Sequence, residues 1–223
     1  MRIPAIRRTG ASILRFAAAL PVICAAALGA GCAVIGQSAK TDQAGLPAVC
    51  SAFSRPYHNA IGIDGRLSVR YQQNGRDEAV HGSFAWHQAP ERTMIELRSP
   101  IGQTVAAIDV IPALATLTQA GQPKRQASDV NALTADALGW PLPVAGLRDW
   151  LQGFGVDANG QRFAVSPGGP RQVTTGDGWR ITYDAWQEEN GGISRPRRID
   201  LERDTDQAGP VALRIVIDDW QPR

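Results

Sequence analysis

The chain has 223 residues, 43% of them hydrophobic, enough for one domain with a sizeable core. Its formal charge of +2 is carried by the first 31 residues, which hold Arg2, Arg7, Arg8 and Arg15 and no acid. Without them the basic count falls from 23 to 19 against 21 acids, a net charge of −2, and the basic excess of a nucleic-acid binder is gone.

That N-terminal segment reads as a signal that is removed. Its arginines are followed by "FAAALPVICAAALGAG" and then Cys32, a short apolar core interrupted by Pro21 and too brief for a comfortable membrane span. "LGAG-C" resembles a bacterial lipobox, in which small residues precede a cysteine that becomes diacylated and forms the new N-terminus; the usual leucine is displaced one step, to Leu28. Cys32 is therefore expected to carry the lipid, with residues 1–31 as the signal. Ala33 stands where an aspartate would retain a lipoprotein in the inner membrane, and so points to the outer membrane. Residues 32–60 are small, polar and punctuated by Pro and Gly, as expected of an anchor and tether. Cys50 has no obvious partner in this stretch and is read as buried and inert. The folded domain is expected over residues 61–223.

From Gly65 onward strands dominate. Leu67, Val69 and Tyr71 alternate with polar neighbours, as do Val80, Phe84 and Trp86 with Gly82 between, and "QNGRD" joins the two runs as a hairpin. Thr93, Ile95 and Leu97 form a third strand and Ala106 and Ile108 mark a fourth. Between them lies Ser99-Pro100-Ile101-Gly102. Pro100 suits the first central position of a turn and Gly102 a positive φ, but Ile101 is out of place at a wet tip. Either the tip folds back onto the domain, or Ile101 is held out for something apolar outside it.

"ALATLT" and a short run at Lys124–Ala127 follow. Two helices come next: one in "SDVNALTADALGWP", capped by Ser128 or Asp129 and stopped by Gly139, and one in "LPVAGLRDWLQG", started by Pro143, with a Val144, Leu147, Leu151 stripe and an end at Gly153. The remaining strands are "RFAV", "RQVTT", "GWRITYDAW", "PRRIDLER" and "VALRIVIDDW". In the third of these Trp179, Ile181, Tyr183 and Ala185 are expected on one face; in the last, Val211, Leu213, Ile215 and Ile217. About eleven short strands joined mostly by hairpin-length loops predict an α+β, mainly β fold: a curved antiparallel sheet with the two helices across its concave side.

Chemistry is hard to find. Of the three histidines His58, His81 and His87, the last two share one side of a strand but no third ligand follows at metal spacing, and all three read as surface residues. There is no GxSxG, Walker loop, HExxH or CxxC, and the adjacent acids Asp218 and Asp219 point to opposite faces of a strand. Neither a catalytic site nor a cofactor or metal site is expected. What is plentiful is apolar surface on one side of the sheet: Phe84, Trp86, Ile95, Leu97, Trp179, Ile181 and Tyr183. Alternation alone does not distinguish a packed interior from one that holds a ligand.

"GRLSV", "GSFAWHQ", "IELRSPIGQTVA", "ALGWPLPVAGLRDWLQG", "GWRITYDAW" and "PRRIDLER", in this order from Gly65 to Trp220, resemble the LolB family of outer-membrane lipoprotein receptors. The resemblance implies an eleven-stranded antiparallel half-barrel whose helices cover a hydrophobic cavity. It further implies a monomer, lipid-anchored on the periplasmic face of the outer membrane, that takes lipoproteins from a LolA-type carrier and inserts them into the inner leaflet. No nucleotide or metal would be involved. On this reading Ser99, Pro100, Ile101 and Gly102 form a loop that engages the membrane. The acyl chains would meet Phe84, Trp86, Ile95, Leu97, Ile108, Leu147, Trp150, Trp179, Ile181 and Tyr183. An unanchored lipid carrier of related fold would conflict with the lipobox, and an envelope enzyme or stress sensor would need a catalytic cluster or second domain.

Overall fold

The structure, a computed structural model, describes residues 55–157, 159–188 and 192–223. The signal segment, Cys32, Cys50 and the tether up to residue 54 lie outside the described residues.

Ten strands form one antiparallel sheet. Its first half is a meander: β1 (Ile61–Gln73), β2 (Arg76–Ala89), β3 (Arg92–Arg98), β4 (Thr104–Ile111), β5 (Leu114–Gln119) and β6 (Arg125–Ala127). Two helices follow, α1 (Val130–Leu138) and α2 (Val144–Trp150), then β7 (Phe154–Val156) and β8 (Arg162–Ala164), which pair with each other in a separate ribbon. The second half of the large sheet is β9 (Gln172–Thr174), β10 (Arg180–Glu188), β11 (Ser194–Thr205) and β12 (Gly209–Pro222). The spatial order is β6-β5-β4-β3-β2-β1-β12-β11-β10-β9, so the first and last strands of the domain pair at its middle and the sheet stays open, with β6 and β9 as its edges. The strand missing from the sequence reading is β7, whose three residues follow α2 after a three-residue turn and are too few to show an alternation.

The period-two pattern decides which face is buried. Ile61, Ile63 and Val69 of β1, Phe84 and Trp86 of β2, Ile95 and Leu97 of β3, and Leu213, Ile215 and Ile217 of β12 all point to one side and are nearly inaccessible. The helices cover this side with Leu133, Val144, Leu147 and Trp150, which join the same core. Asp129 caps α1, its carboxylate accepting from Asn131 N at 2.8 Å, and Gly139 ends it with φ +85°, a conformation that any Cβ would strain. In β10 the expected alternation breaks: the pairing with β11 shifts between Tyr183 and Trp186. Ala185 is therefore only half-buried rather than continuing the face of Trp179, Ile181 and Tyr183, and Trp186 stacks on Tyr183 at 5.4 Å instead.

Packing begins ahead of residue 61. Arg55 is 6% exposed; its guanidinium donates to the carbonyls of Ser194 (2.6 Å), Gln152 (3.2 Å), Gly153 (2.8 Å) and Val165 (3.1 Å) and lies 4.9 Å from the Trp186 ring. Gln152, fully buried, accepts from His58 N at 2.9 Å and donates to His58 O at 3.0 Å. The segment entering the domain is thus fastened to the end of α2 before the first strand starts. His58, in contact with Trp220, and His87 are half-buried rather than surface residues; only His81 is exposed.

Candidate functional site: a braced hairpin tip beside an apolar interior

The β3–β4 turn is built as its sequence predicts. Gly102 N donates to Ser99 O at 2.9 Å, so Pro100 and Ile101 occupy the two central positions, and Gly102 follows at φ +82°. Ser99 N donates to Gln103 O at 2.8 Å and closes the loop. Ile101 does not fold back: it is 80% exposed, far more than any other large apolar side chain described. Below the tip, Glu96 takes both Nε and Nη2 of Arg98 (3.1 and 2.7 Å) and accepts from the Thr104 hydroxyl across the strand pair. These donors hold the Glu96 carboxyl down at about 2, so it is ionised and the brace is in place at neutral pH. Gly82 completes the arrangement. Beyond the Ser83–Arg98 pair, β3 leaves β2 and its Arg98 carbonyl crosses where a Cβ on residue 82 would sit.

All ten side chains assigned to an acyl-chain site from the sequence are buried, but they do not converge on one space. Phe84, Trp86, Ile95, Leu97 and Leu147 line a wholly apolar cavity of about 20 Å³, completed by Leu67, Leu142, Leu151, Leu213 and Ile215. Ile108 packs away from it, paired with Ile95 and Leu117 in the sheet. Trp150 and Trp179 meet each other at 6.5 Å, and the Tyr183 hydroxyl, whose pKa is pushed up by burial, donates to Trp150 O at 3.3 Å. Trp150, Trp179, Ile181 and Tyr183 therefore form the packing on which α2 rests, outside the cavity wall. Leu213 and Ile215 were legible as the inner face of the last strand; Leu142 was hidden between Pro141 and Pro143.

Twenty cubic ångströms holds little more than one water, whereas pockets that enclose a small ligand start at about 300 Å³. A larger, mainly apolar space of about 260 Å³ adjoins it, sharing Leu67 and Leu97 and walled by Val80, Val105, Leu138 and Trp140. Val80 and Val105 are 41% and 44% exposed, and Ser99 of the tip turn lies on the rim. This outer space, next to the apolar cavity, thus lies open at the foot of the hairpin that carries Ile101. Among the described residues no group of His, Cys, Asp and Glu is placed to hold a metal, and no helix is long and apolar enough to cross a membrane.

Comparison with known proteins follows from this geometry. The family model described as "Outer membrane lipoprotein LolB" matches residues 59–220. The outer-membrane lipoprotein LolB of Cupriavidus necator is 41% identical over 158 residues, covering 71% of this chain and 79% of that protein. The protein of the same name from Thiobacillus denitrificans is 36% identical over 191 residues, 86% and 90% of the two chains. Among solved structures, a LolA superfamily protein from Nitrosomonas europaea matches with a TM-score of 0.40 at 7% identity, over 76% of this chain and 88% of that one.

Proposed function

Starting from the membership of this chain in the LolB family of outer-membrane lipoproteins, we propose that it receives the acyl chains of lipoproteins from a LolA-type periplasmic carrier and passes them to the inner leaflet of the outer membrane. It acts as a monomer anchored through lipidated Cys32 and performs no catalytic step. The observation that carries this reading is the juxtaposition of an exposed isoleucine, on a hairpin braced at its base, with an open, mainly apolar space next to the apolar cavity.

Acyl chains gain about 0.8 kcal/mol per methylene removed from water, so a chain in transit needs an apolar enclosure at each stage. A transfer that consumes no nucleotide must run downhill, and the receptor's grip must exceed the carrier's yet yield to a bilayer. Delivery beside the hairpin foot suits that order: Ile101 enters the leaflet, and the chains leave through the neighbouring opening without crossing water. Residues 1–31 are assigned as the removed signal, 32–54 as the tether, and the domain that follows as the lipoprotein-binding unit.

The test is a two-step transfer. A radiolabelled lipoprotein loaded on a purified LolA-type carrier is offered to the detergent-purified receptor, then the receptor is offered liposomes. Label is expected to move in both steps. Failure of the first overturns the receptor reading; success in the first with failure in the second leaves a carrier that does not insert.

A further inference from the structure

On the helix-free face of the sheet, β1, β2 and β12 meet the hairpin turn around a groove of about 500 Å³. Arg66 and Arg214 stand on its walls, and Ser99 and Pro100 of the turn form its end. Each guanidinium is held by a carboxylate through one edge only. Arg66 donates from Nε and Nη2 to Asp218 (2.9 and 2.8 Å), and Arg214 from Nε and Nη2 to Asp200 (2.9 and 3.0 Å). Among the described residues nothing bonds to Nη1 of either, so two oriented N–H pairs remain, on side chains that are 63% and 51% exposed. Beside these donors Pro100 and Val216 give the groove an apolar wall, with Ser68, His81 and Ser83 along its floor.

We propose that this groove seats the phosphate headgroup of a membrane phospholipid, with Arg66 and Arg214 on the phosphate and the start of the acyl chains against Pro100 and Val216. The proposal deepens, and rests on, the reading of Ile101 as the point that enters the leaflet. Guanidinium N–H groups are the fitting donors for phosphate oxygens, and a guanidinium already fixed by a carboxylate loses little freedom on taking one. The hydrocarbon wall is what separates a lipid from a free anion. A lipid bound here would sit at the foot of Ile101, fixing how deep the hairpin enters. Because Arg66 and Arg214 are each balanced by an acid, recognition works at hydrogen-bond range and requires no net negative membrane.

The test uses the mature lipidated protein in dodecylmaltoside, a detergent without phosphate, with amide shifts of Ser83, Ser99 and Gly102 followed by NMR. Dihexanoyl phosphatidylethanolamine, glycerophosphoethanolamine and inorganic phosphate are titrated separately. The short-chain lipid is expected to saturate, at least tenfold more tightly than glycerophosphoethanolamine, with inorganic phosphate weaker still. Arg66→Gln with Arg214→Gln should weaken the lipid at least tenfold. Asp218→Asn and Asp200→Asn, which break the same ion pairs but keep both arginines, should weaken binding far less, because the lost fixing of the guanidiniums is offset by removal of the carboxylates' repulsion of the phosphate. No saturable shift with the lipid, equal binding of inorganic phosphate, or equal loss in the Asn variants would each overturn the proposal. Ile101→Glu separates it from the tip reading. Retained binding of glycerophosphoethanolamine with lost delivery to liposomes supports both, whereas normal delivery by Ile101→Glu removes the tip reading on which the groove's role depends.

Discussion

Ile101 is the residue at which sequence and structure bear most directly on function. Its position in the chain was legible as an anomaly, because Pro100 and Gly102 specify the turn and neither asks for a branched hydrocarbon between them. Whether it folded back was not legible, since that depends on where β3 leaves β2. Gly82 permits that path: a Cβ there would meet the Arg98 carbonyl, so β3 can run into the turn as it does only past a glycine. Ile101→Glu should therefore leave stability within about 0.5 kcal/mol of the parent by urea denaturation, because an exposed tip contributes nothing to the core. Acceptance from the carrier should persist and release to liposomes should fall at least tenfold; unfolding by this change, or unimpaired release, would contradict the assignment. Gly82→Val tests that dependence. The added side chain must displace the Arg98 carbonyl, so a loss of about 1–3 kcal/mol is expected, together with weakened release while Ile101 is intact. A variant with parental stability and release would show that the crossing does not position the tip.

The two helices look alike in sequence, each a short amphipathic run between a start signal and a glycine, but their attachments differ. Arg148 of α2 donates to Thr93 Oγ1 at 2.6 Å and to Ala89 O at 2.8 Å, Gln152 at its end exchanges bonds with His58, and Arg55 holds the carbonyls of Gln152 and Gly153. α1 is tied to the loop after it by one short buried bond, Thr134 Oγ1 accepting from Leu142 N at 2.9 Å. Its bonds to the sheet and the sheet's turns are longer and exposed or half-buried: Gln119 to Ala137 O at 3.4 Å, Arg125 to Asp136 O at 3.4 Å and Gln207 to the Asp136 carboxylate at 3.1 Å. The fastenings by Arg55 and Gln152 could not be read from the sequence, because both lie outside any periodic pattern and pair with backbone groups 94 and more residues away. A cavity of about 20 Å³ must expand to take an acyl chain, and the less fastened helix is the one that can yield. Hydrogen exchange of residues 130–138 should accelerate several-fold when a long-chain acylated peptide binds, with residues 144–150 unchanged. Acceleration confined to 144–150 would reverse the assignment.

At the scale of the molecule, strand alternation was enough to establish an antiparallel sheet with one apolar face, because Val69 and Tyr71, Ile95 and Leu97, Ile181 and Tyr183, and Val211 to Ile217 keep to it. It could not supply the cavity volume: periodicity says which way a side chain points, not how far apart the opposing layers stand. The opposite face is a lattice of charge. Asp184 of β10, Arg198 and Asp200 of β11, Arg214 of β12, and Arg66 of β1 with Asp218 of β12 pair across strands where no helix covers the sheet. Burial alone would push Asp200 up, but bonds from Arg214 and Arg198 outweigh it and hold the carboxyl at about 2. Glu96 is held at about 2 by Arg98 and Thr104, and Asp109 and Asp218 are lowered by Arg92 and Arg66. A carboxylate whose pKa is lowered by folding contributes its stability in full above its unfolded value, about 4, and loses it as pH falls through the folded one. The urea midpoint should therefore be level between pH 7 and 5 and decline from about pH 4 toward 2. Each pair is partly exposed and individually weak, so the decline should be shallow and should diminish in high salt. Asp200→Asn, by removing the most connected acid of the lattice, should lower the midpoint at pH 7 and flatten its fall below pH 4. A midpoint that declines between pH 7 and 5 would show that the acid response does not come from these carboxylates, and one that holds to pH 2 would mean that the lattice contributes no net stability.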